Sequence, residues 1–418
     1  MRSVPPSRTL ERVLPLLDAI GVTRVADVTG LDRLGVPNFT SVRPRERGEG
    51  ISYYNGKGLT RTAARAGAVM EALERASGEH CDLPVHHATR EEMQRFGSTV
   101  DPAELFAPPV ERYEPDMRIE WVEGLDLLAQ QPTFVPLNAV VCPYEPPPGR
   151  PILFYSSTNG LASGNTYEEA LCSALCEIVE RDAEAAAAAE RDLAPAVSRV
   201  LASIGAAPQN GRAVETPGRF PLIDLDTLPP RPRTVARKLL RAGLTVYLRD
   251  VTSTVGIPTL SCTIIERQPG SCLAHGGCGT HPDARVAAAR ALTEAAQSRL
   301  GHIQGGREDL PRIVAPPVDF DPDAVFGGGE VRPFSSIRSC ELDDVAEDVR
   351  LLLDRLRADG FPQVVAFDLT RPEVGVPVVR VVVPRAECWS IFYAHGCHAP
   401  FGQRVSRVLG DAVGAVRA

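Results

Sequence analysis

The sequence predicts an α+β, mixed α/β fold. Five stretches rich in Ala, Leu, Glu and Arg show helical spacing of apolar residues, and four runs dominated by Val, Ile, Thr and Leu read as strands. The two kinds mix without strict one-to-one alternation, which argues against a simple parallel wind. With 418 residues, 44% of them hydrophobic, the chain can bury one large core or a few tightly associated subdomains.

In chain order, Leu10, Val13, Leu14, Leu17 and Ile20 give Thr9–Ile20 one apolar helical face, and Gly21 stops it. From Val25 to Arg45, short apolar runs alternate with Gly30, Gly35 and Pro37, a strand-and-turn pattern. Further helices are expected over Thr60–Gly78, Thr166–Arg191, Pro282–Leu300 and Leu342–Ala358. Strands are expected over Thr245–Val251, Ile257–Ile265, Gln363–Leu369 and Val376–Val383, where β-branched residues concentrate. The Pro- and Arg-rich segment from Pro208 to Pro232 reads as a surface connection, and a second lies near Pro311–Gly329.

A net charge of -8, a pI of about 5.6 and the lack of a Lys/Arg-rich run exclude a protein that neutralises many nucleic-acid phosphates. No signal-peptide pattern and no run near the roughly 18 apolar residues of a membrane span is present, so a cytoplasmic location is expected. The ten cysteines contain no CxxC pair, which speaks for buried, reduced thiols. His275, Cys278 and His281, together with His395, Cys397 and His398, are the nearest thing to a soft-metal cluster. Their spacing fits glycine-rich loops better than zinc.

The informative feature is a repeated helix pattern. Gly58 is followed thirteen residues later by Glu71, then Glu74 and Arg75; Gly164 is followed thirteen residues later by Glu177, then Glu180 and Arg181. A third helix places Arg290, Glu294, Gln297 and Arg299 after Gly279. Residues three apart share a helix face, so Glu71/Glu74, Glu177/Glu180 and Glu294/Gln297 each point their polar groups one way. The flanking positions, such as Ala68, Ala72, Ala174 and Ala291, are small, which marks these faces as partly buried, and buried carboxylates need a partner. Mg2+ meets that need, because it takes hard oxygen ligands and bridges carboxylates to phosphates. Lys57, Arg75, Arg181 and Arg290 would then meet the phosphates or balance the acids. An ordinary solvated helix explains any single copy; three copies, two with the same upstream glycine spacing, favour the site. Asn55-Gly56-Lys57-Gly58, Asn159-Gly160 with Gly164, and Gly276-Gly277-Cys278-Gly279 precede the three helices and are expected as turns whose amides can face anions. No Walker or dinucleotide-binding loop is present.

At these residues the chain resembles the YcaO family. The carriers are Asn55–Gly58 with Glu71-Ala72-Leu73-Glu74-Arg75, then Asn159-Gly160 through Glu177-Ile178-Val179-Glu180-Arg181-Asp182, then Arg290 through Arg299. Val25–Pro44 also resembles YcaO proteins that work with a TfuA partner or stand alone, and Asp368–Pro384 is similar to the family as well. The resemblance implies a YcaO-like fold with ATP between helices and Mg2+ held by Glu71, Glu74, Glu177, Glu180 and Glu294. It further implies nucleotide contacts from Lys57, Glu71, Arg75, Arg181, Arg290 and Gln297. Residues 1–50 would form an N-terminal segment open to partner or leader contact, and 51–418 the catalytic domain.

The implied activity is phosphorylation of a backbone amide oxygen in a ribosomally made precursor peptide, after a nucleophile adds to the amide carbon. Sulfide would give a thioamide, a substrate Cys, Ser or Thr an azoline, and an amine an amidine; thioamidation or stand-alone activity is favoured slightly over an azoline-forming cyclodehydratase. A TfuA-like or leader-binding protein and a homodimer are the assemblies compatible with this reading. Two departures stand out: Gly67 replaces a family serine, and the closing residues Gly410–Ala418 lack the proline-rich tail of azoline-forming relatives. General-base candidates are His281 and His275, each with a competing loop or capping role. A non-catalytic scaffold that binds precursor peptide, and a metal-dependent hydrolase using the same carboxylates, are the readings from other classes.

Overall fold

The computed structural model describes residues 4–44, 51–79, 82–204, 220–268, 271–306, 322–390 and 401–417. The first sheet is antiparallel, β1 (Arg24–Asp27), β2 (Asn38–Val42) and β3 (Tyr53–Lys57). It joins residues on both sides of position 50. A seven-stranded sheet has the order β5-β7-β6-β14-β15-β8, with β4 also on β6. Its strands are β4 (His86–Ala88), β5 (Ser98–Thr99), β6 (Ile119–Asp126), β7 (Gln131–Pro136), β8 (Leu161–Ser163), β14 (Val365–Asp368) and β15 (Val378–Val382). The third sheet has the order β12-β11-β10-β9-β13, built from β9 (Leu222–Ile223), β10 (Thr245–Asp250), β11 (Thr259–Gln268), β12 (Ser271–Thr280) and β13 (Val331–Arg332).

The helices are α1 (Pro6–Val13), α2 (Arg61–Gly78), α3 (Arg90–Gln94), α4 (Tyr167–Ala188), α5 (Ala194–Ser203), α6 (Pro230–Arg241), α7 (Ala284–Gln304), α8 (Pro322–Phe326), α9 (Val345–Ala358) and a C-terminal α10 (Gln403–Arg417). Each of the three repeated helices starts at a side-chain cap. Thr60 accepts from the Ala63 amide, Thr166 from that of Glu169 and Asp283 from that of Arg285, each satisfying an amide the helix itself cannot. The alanines then let the helices lie close on their sheets: α7 on β11 and β12 with Ala287, Ala288, Ala291 and Ala295 fully buried, and α4 on β8 and β15 and beside α9. Leu10, Val13 and Ile20 of the first segment pack on Val69, Leu73 and Ala76 of α2.

Several expectations are corrected. The first helix ends at Val13 and continues as short 3-10 turns to Ile20. Residues 208–219 of the Pro-rich connection lie outside the described residues. Its C-terminal part is no linker: Pro230 opens α6, where a missing amide costs nothing. Residues 311–321 of the second connection are likewise outside, and Pro322–Phe326 is helical.

The glycines before two of the repeated helices are not turns. Gly276, Gly277 and Gly279 lie within β12, and Gly56 within β3. A Cβ on Gly277 would stand 2.2 Å from the Ala295 nitrogen, one on Gly279 2.2 Å from the Ala287 oxygen, and one on Gly56 2.0 Å from the Ala68 nitrogen. These positions let a helix backbone rest directly on a strand. Among the described residues no helix is long and apolar enough to cross a membrane.

Candidate active site

Lys57, Glu71, Glu74, Arg75, Glu177, Glu180, Arg181, Arg290, Glu294 and Gln297 all line one cavity of about 1430 Å³. The face of α7 from Arg285 to Gly301 runs along it, and α2 and α4 supply opposing walls. The three motifs that repeat in the sequence therefore meet in space.

Within each motif the two members do different things. The second reaches the strand that precedes the next repeated helix. Glu74 of α2 accepts from the Ser163 amide of β8 at 2.9 Å and from the Ser163 hydroxyl at 3.2 Å. Glu180 of α4 accepts from the Thr280 amide of β12 at 2.9 Å, and Gln297 of α7 donates to the Asn55 carbonyl of β3. The ring thus closes from α2 to α4, from α4 to α7 and from α7 back to α2. The first members, Glu71, Glu177 and Glu294, line the cavity. Glu71 stands 3.6 Å from Arg75, and Glu294 pairs with Lys57 while taking the Cys278 amide at 3.4 Å.

Electrostatics follow from this enclosure. Burial pushes the Glu74 carboxyl up to about 8, against the pull of Arg75 and with further upward pressure from Glu71 and Glu177. Burial also raises Glu177 despite Arg181 and Arg75, and raises Glu180, where the Glu294 charge adds to it. Glu294 goes the other way: burial would raise it, but Lys57, Arg181 and Arg290 outweigh that and hold it below the usual range. Arg75 and Arg290 each carry a buried Nε–H with no acceptor among the described residues. Buried donors of this kind are normally satisfied. The donor set fits a magnesium-bound triphosphate: carboxylate oxygens from three helices face one space, a divalent cation would relieve the cost of burying them, and orphaned guanidinium N–H groups offer themselves to phosphate.

His281 lines the cavity, but its Nδ1 accepts from the Asp283 amide at 3.0 Å and burial lowers its pKa to about 3. His275 is not among the lining residues. It is buried on β12 against His302, with ring centroids 5.2 Å apart, and its pKa is lowered to about 4, chiefly by burial, with proximity to His302 and the Arg299 guanidinium adding to it. Cys278 is a buried thiol whose pKa burial pushes up.

The sequence's soft-metal grouping is not assembled: His275 and Cys278 do not converge with His281, and His395, Cys397 and His398 lie outside the described residues. Cys172, His281 and Asp348 do converge, their ligand atoms within 4.8 Å of one another. The Asp283 amide aimed at Nδ1 leaves the imidazole proton on Nε2, however, which disfavours coordination through that nitrogen.

Sequence reasoning passed over Cys142, Glu184 and the run Ser156-Ser157-Thr158, which also line the cavity, and Arg380, buried in β15 with its Nε donating to the Ala139 carbonyl. A signal existed for Arg380: it is the single charge in the apolar run Val376–Pro384.

Gly67, which stands where the family has a serine, lines the cavity, and a Cβ there would meet Gly56 Cα at 3.4 Å.

An uncharacterized protein of Methanothermobacter thermautotrophicus is 36% identical over 411 residues, 93% of this chain and 96% of its own. An uncharacterized protein in the tfuA 3′ region of Rhizobium leguminosarum bv. trifolii is 35% identical, covering 92% of this chain and 88% of its own. The structure of YcaO from Methanopyrus kandleri, bound with AMPPCP and Mg2+, superposes with a TM-score of 0.69 at 26% identity over 96% of both chains. Residues 55–387 match the YcaO cyclodehydratase family, described as ATP- and Mg2+-binding. The match spans all three motif helices and most of the chain, so this protein is a member of the YcaO family.

Proposed function

We propose that the protein uses ATP and Mg2+ to activate a backbone amide of a precursor peptide by phosphorylating its oxygen. The observation that carries this is the convergence of three carboxylate-bearing helices and two orphaned guanidinium donors on one cavity. Bound ATP and Mg2+ would supply the phosphoryl group that carries off the amide oxygen and the charge that stabilises its transfer. On this reading Glu71, Glu177 and Glu294 hold the metal, with the remaining oxygens of Glu74 and Glu180. Arg75, Arg181, Arg290 and Lys57 bind the phosphates, and Gln297 keeps β3 in place beside them. The Methanopyrus kandleri structure supports the nucleotide and metal. His281 reaches the cavity, but with Nδ1 taken by the Asp283 amide and the proton on Nε2 it has no free lone pair to accept a proton, and His275 does not line the cavity.

Thioamide formation is the favoured product. What supports it is the 35% identical relative in a tfuA 3′ region, which also makes a TfuA-like protein the partner to test. The second reading is azoline formation, which the family's cyclodehydratase description favours.

Replacing Glu177 or Glu294 by Gln is expected to abolish ATP-dependent phosphate release with the fold intact by circular dichroism; wild-type release from either variant would remove the metal site. AMPPCP with Mg2+ should raise the melting temperature of the wild type. No shift at millimolar nucleotide favours the peptide-binding scaffold, and turnover without ATP the hydrolase. Product mass separates the chemistries: loss of one water marks ring closure, and exchange of oxygen for sulfur marks thioamidation.

A further inference from the structure

The sequence has no long unbroken run of lysine and arginine, yet helical spacing gathers a basic stripe on α6. Pro230–Arg241 carries Arg231, Arg233, Arg237, Lys238 and Arg241 and no acid. Pro232, Val235, Ala236 and Leu239 are its buried face. At about 100° per residue, Arg237, Arg241, Lys238 and Arg231 fall within one arc of roughly 120° on the opposite side. Arg231, Arg237 and Arg241 are exposed, and among the described residues their side chains form no ion pair or hydrogen bond. Lys238, partly buried, donates to the Gly35 carbonyl at 2.7 Å.

A helix that merely faces water mixes signs, as α3 and α9 do with Arg95–Glu91 and Arg350–Glu347. On α6, Arg233/Arg237 and Arg237/Arg241 instead stand four residues apart, a like-charge spacing that destabilises a helix. The helix dipole favours Lys238 and Arg241 in the last turn but opposes Arg231 in the first. Local stability therefore does not account for the stripe, and an anion lying along it would offset the repulsion. The stripe also begins at the cavity, because Pro229, Pro230, Arg231 and Pro232 are among its lining residues. Arg241 lies ten positions beyond Arg231, about 15 Å along the axis, the span of about five extended residues. A peptide with one amide inside the cavity can leave it over this face. On a chain of net charge -8, the face is a local reversal of sign that attracts an anionic segment.

We propose that the outer face of α6 docks an acidic segment of the precursor peptide, rich in Asp or Glu and adjoining the residue whose amide enters the cavity. This rests on the peptide-activation reading for the identity of the ligand but not for the binding itself. Fluorescence anisotropy of the full chain with a fluorescein-labelled peptide of Glu, Gly and Ser, and with its Gln counterpart, tests it. Saturable binding of the Glu peptide alone is expected. Arg237→Glu combined with Arg241→Glu should weaken it about tenfold or more, because like charges across a contact repel. Arg95→Glu combined with Arg112→Glu, which makes the same change in net charge outside α6, should leave it unaltered. Should the first pair fail to fold, Arg237→Gln with Arg241→Gln serves in its place and is expected to weaken binding less. No binding of the Glu peptide, equal binding of the Gln peptide, or equal loss in the two Glu pairs overturns the docking face. Displacement by AMPPCP with Mg2+ overturns it as well, since that places the peptide on the arginines inside the cavity. Tighter binding of a single-stranded deoxyoligonucleotide of the same charge, with the same dependence on Arg237 and Arg241, gives the face to nucleic acid and likewise overturns it. Because the titration needs no nucleotide, such a failure leaves the peptide-activation reading standing, whereas unchanged phosphate release in Glu177→Gln sinks that reading alone.

Discussion

Glu74 keeps its proton into a range where a free glutamate has long lost it, because burial and the nearby Glu71 and Glu177 outweigh Arg75. Its folded-state pKa of about 8 lies above the ordinary 4.5, so the protonated group favours folding. That contribution is complete below the unfolded value and is lost as pH rises through about 8. The stability of the metal-free protein, measured by denaturant titration, should therefore fall more steeply from mildly acid to mildly alkaline pH than that of Glu74→Gln; parallel curves would show that Glu74 titrates normally. Two glycines on the same contact should behave oppositely. Gly56→Ala places a methyl against α2 backbone and should cost on the order of 1–3 kcal/mol by overpacking. Gly67→Ser meets only ordinary contacts and removes a glycine from a helix interior, so its melting temperature should be unchanged or slightly higher. If the restored hydroxyl reaches the nucleotide, AMPPCP should stabilise Gly67→Ser more than the wild type.

At the scale of helices and strands, the ring of bonds from each motif to the next predicts a separation of charge from geometry. Glu180→Gln retains a carbonyl that can accept the Thr280 amide, whereas Glu180→Leu leaves that buried N–H unmatched at a cost of about 1–3 kcal/mol. Hydrogen exchange at Thr280 should stay slow in the Gln variant and quicken in the Leu variant; equal rates in both would deny the bond a role. Much of this level was legible beforehand. Thr60 and Thr166 mark their helix starts in the sequence, and the Glu pairs reveal shared faces through their spacing. What escaped was β12, because Ser271–Thr280 is rich in the residues strands usually avoid; its glycines are chosen for the approach of α7, a tertiary demand that local propensity cannot express. For the same reason, spacing alone could not tell that the second member of each pair serves a neighbouring strand. Arg380 was visible as a lone charge among valines, but its burial against the Ala139 carbonyl depends on the pairing of β15 with β8 and β14.

Over the whole molecule, the C-terminal helix is tied to the site by buried charge. Glu387, fully buried, accepts the amides of Gly402, Arg404 and Val405 at 2.8 to 3.1 Å and so caps α10 from outside it. Arg404 then bridges Asp359 and Asp182, the latter adjacent to the cavity-lining Arg181. Glu387→Ala should free α10, read as accelerated hydrogen exchange over residues 403–410 ahead of any global loss of structure; uniform acceleration across the chain would mean the cap is not local. The closed circuit of Glu74, Glu180 and Gln297 has a broader implication. No motif owns the groups that orient it, so a fragment carrying two of the three would lack both a wall and a fastening, and a substitution in one helix will be felt first in its successor. Heritable change here should arrive in compensating sets distributed around the circle, not as independent adjustments within a single segment.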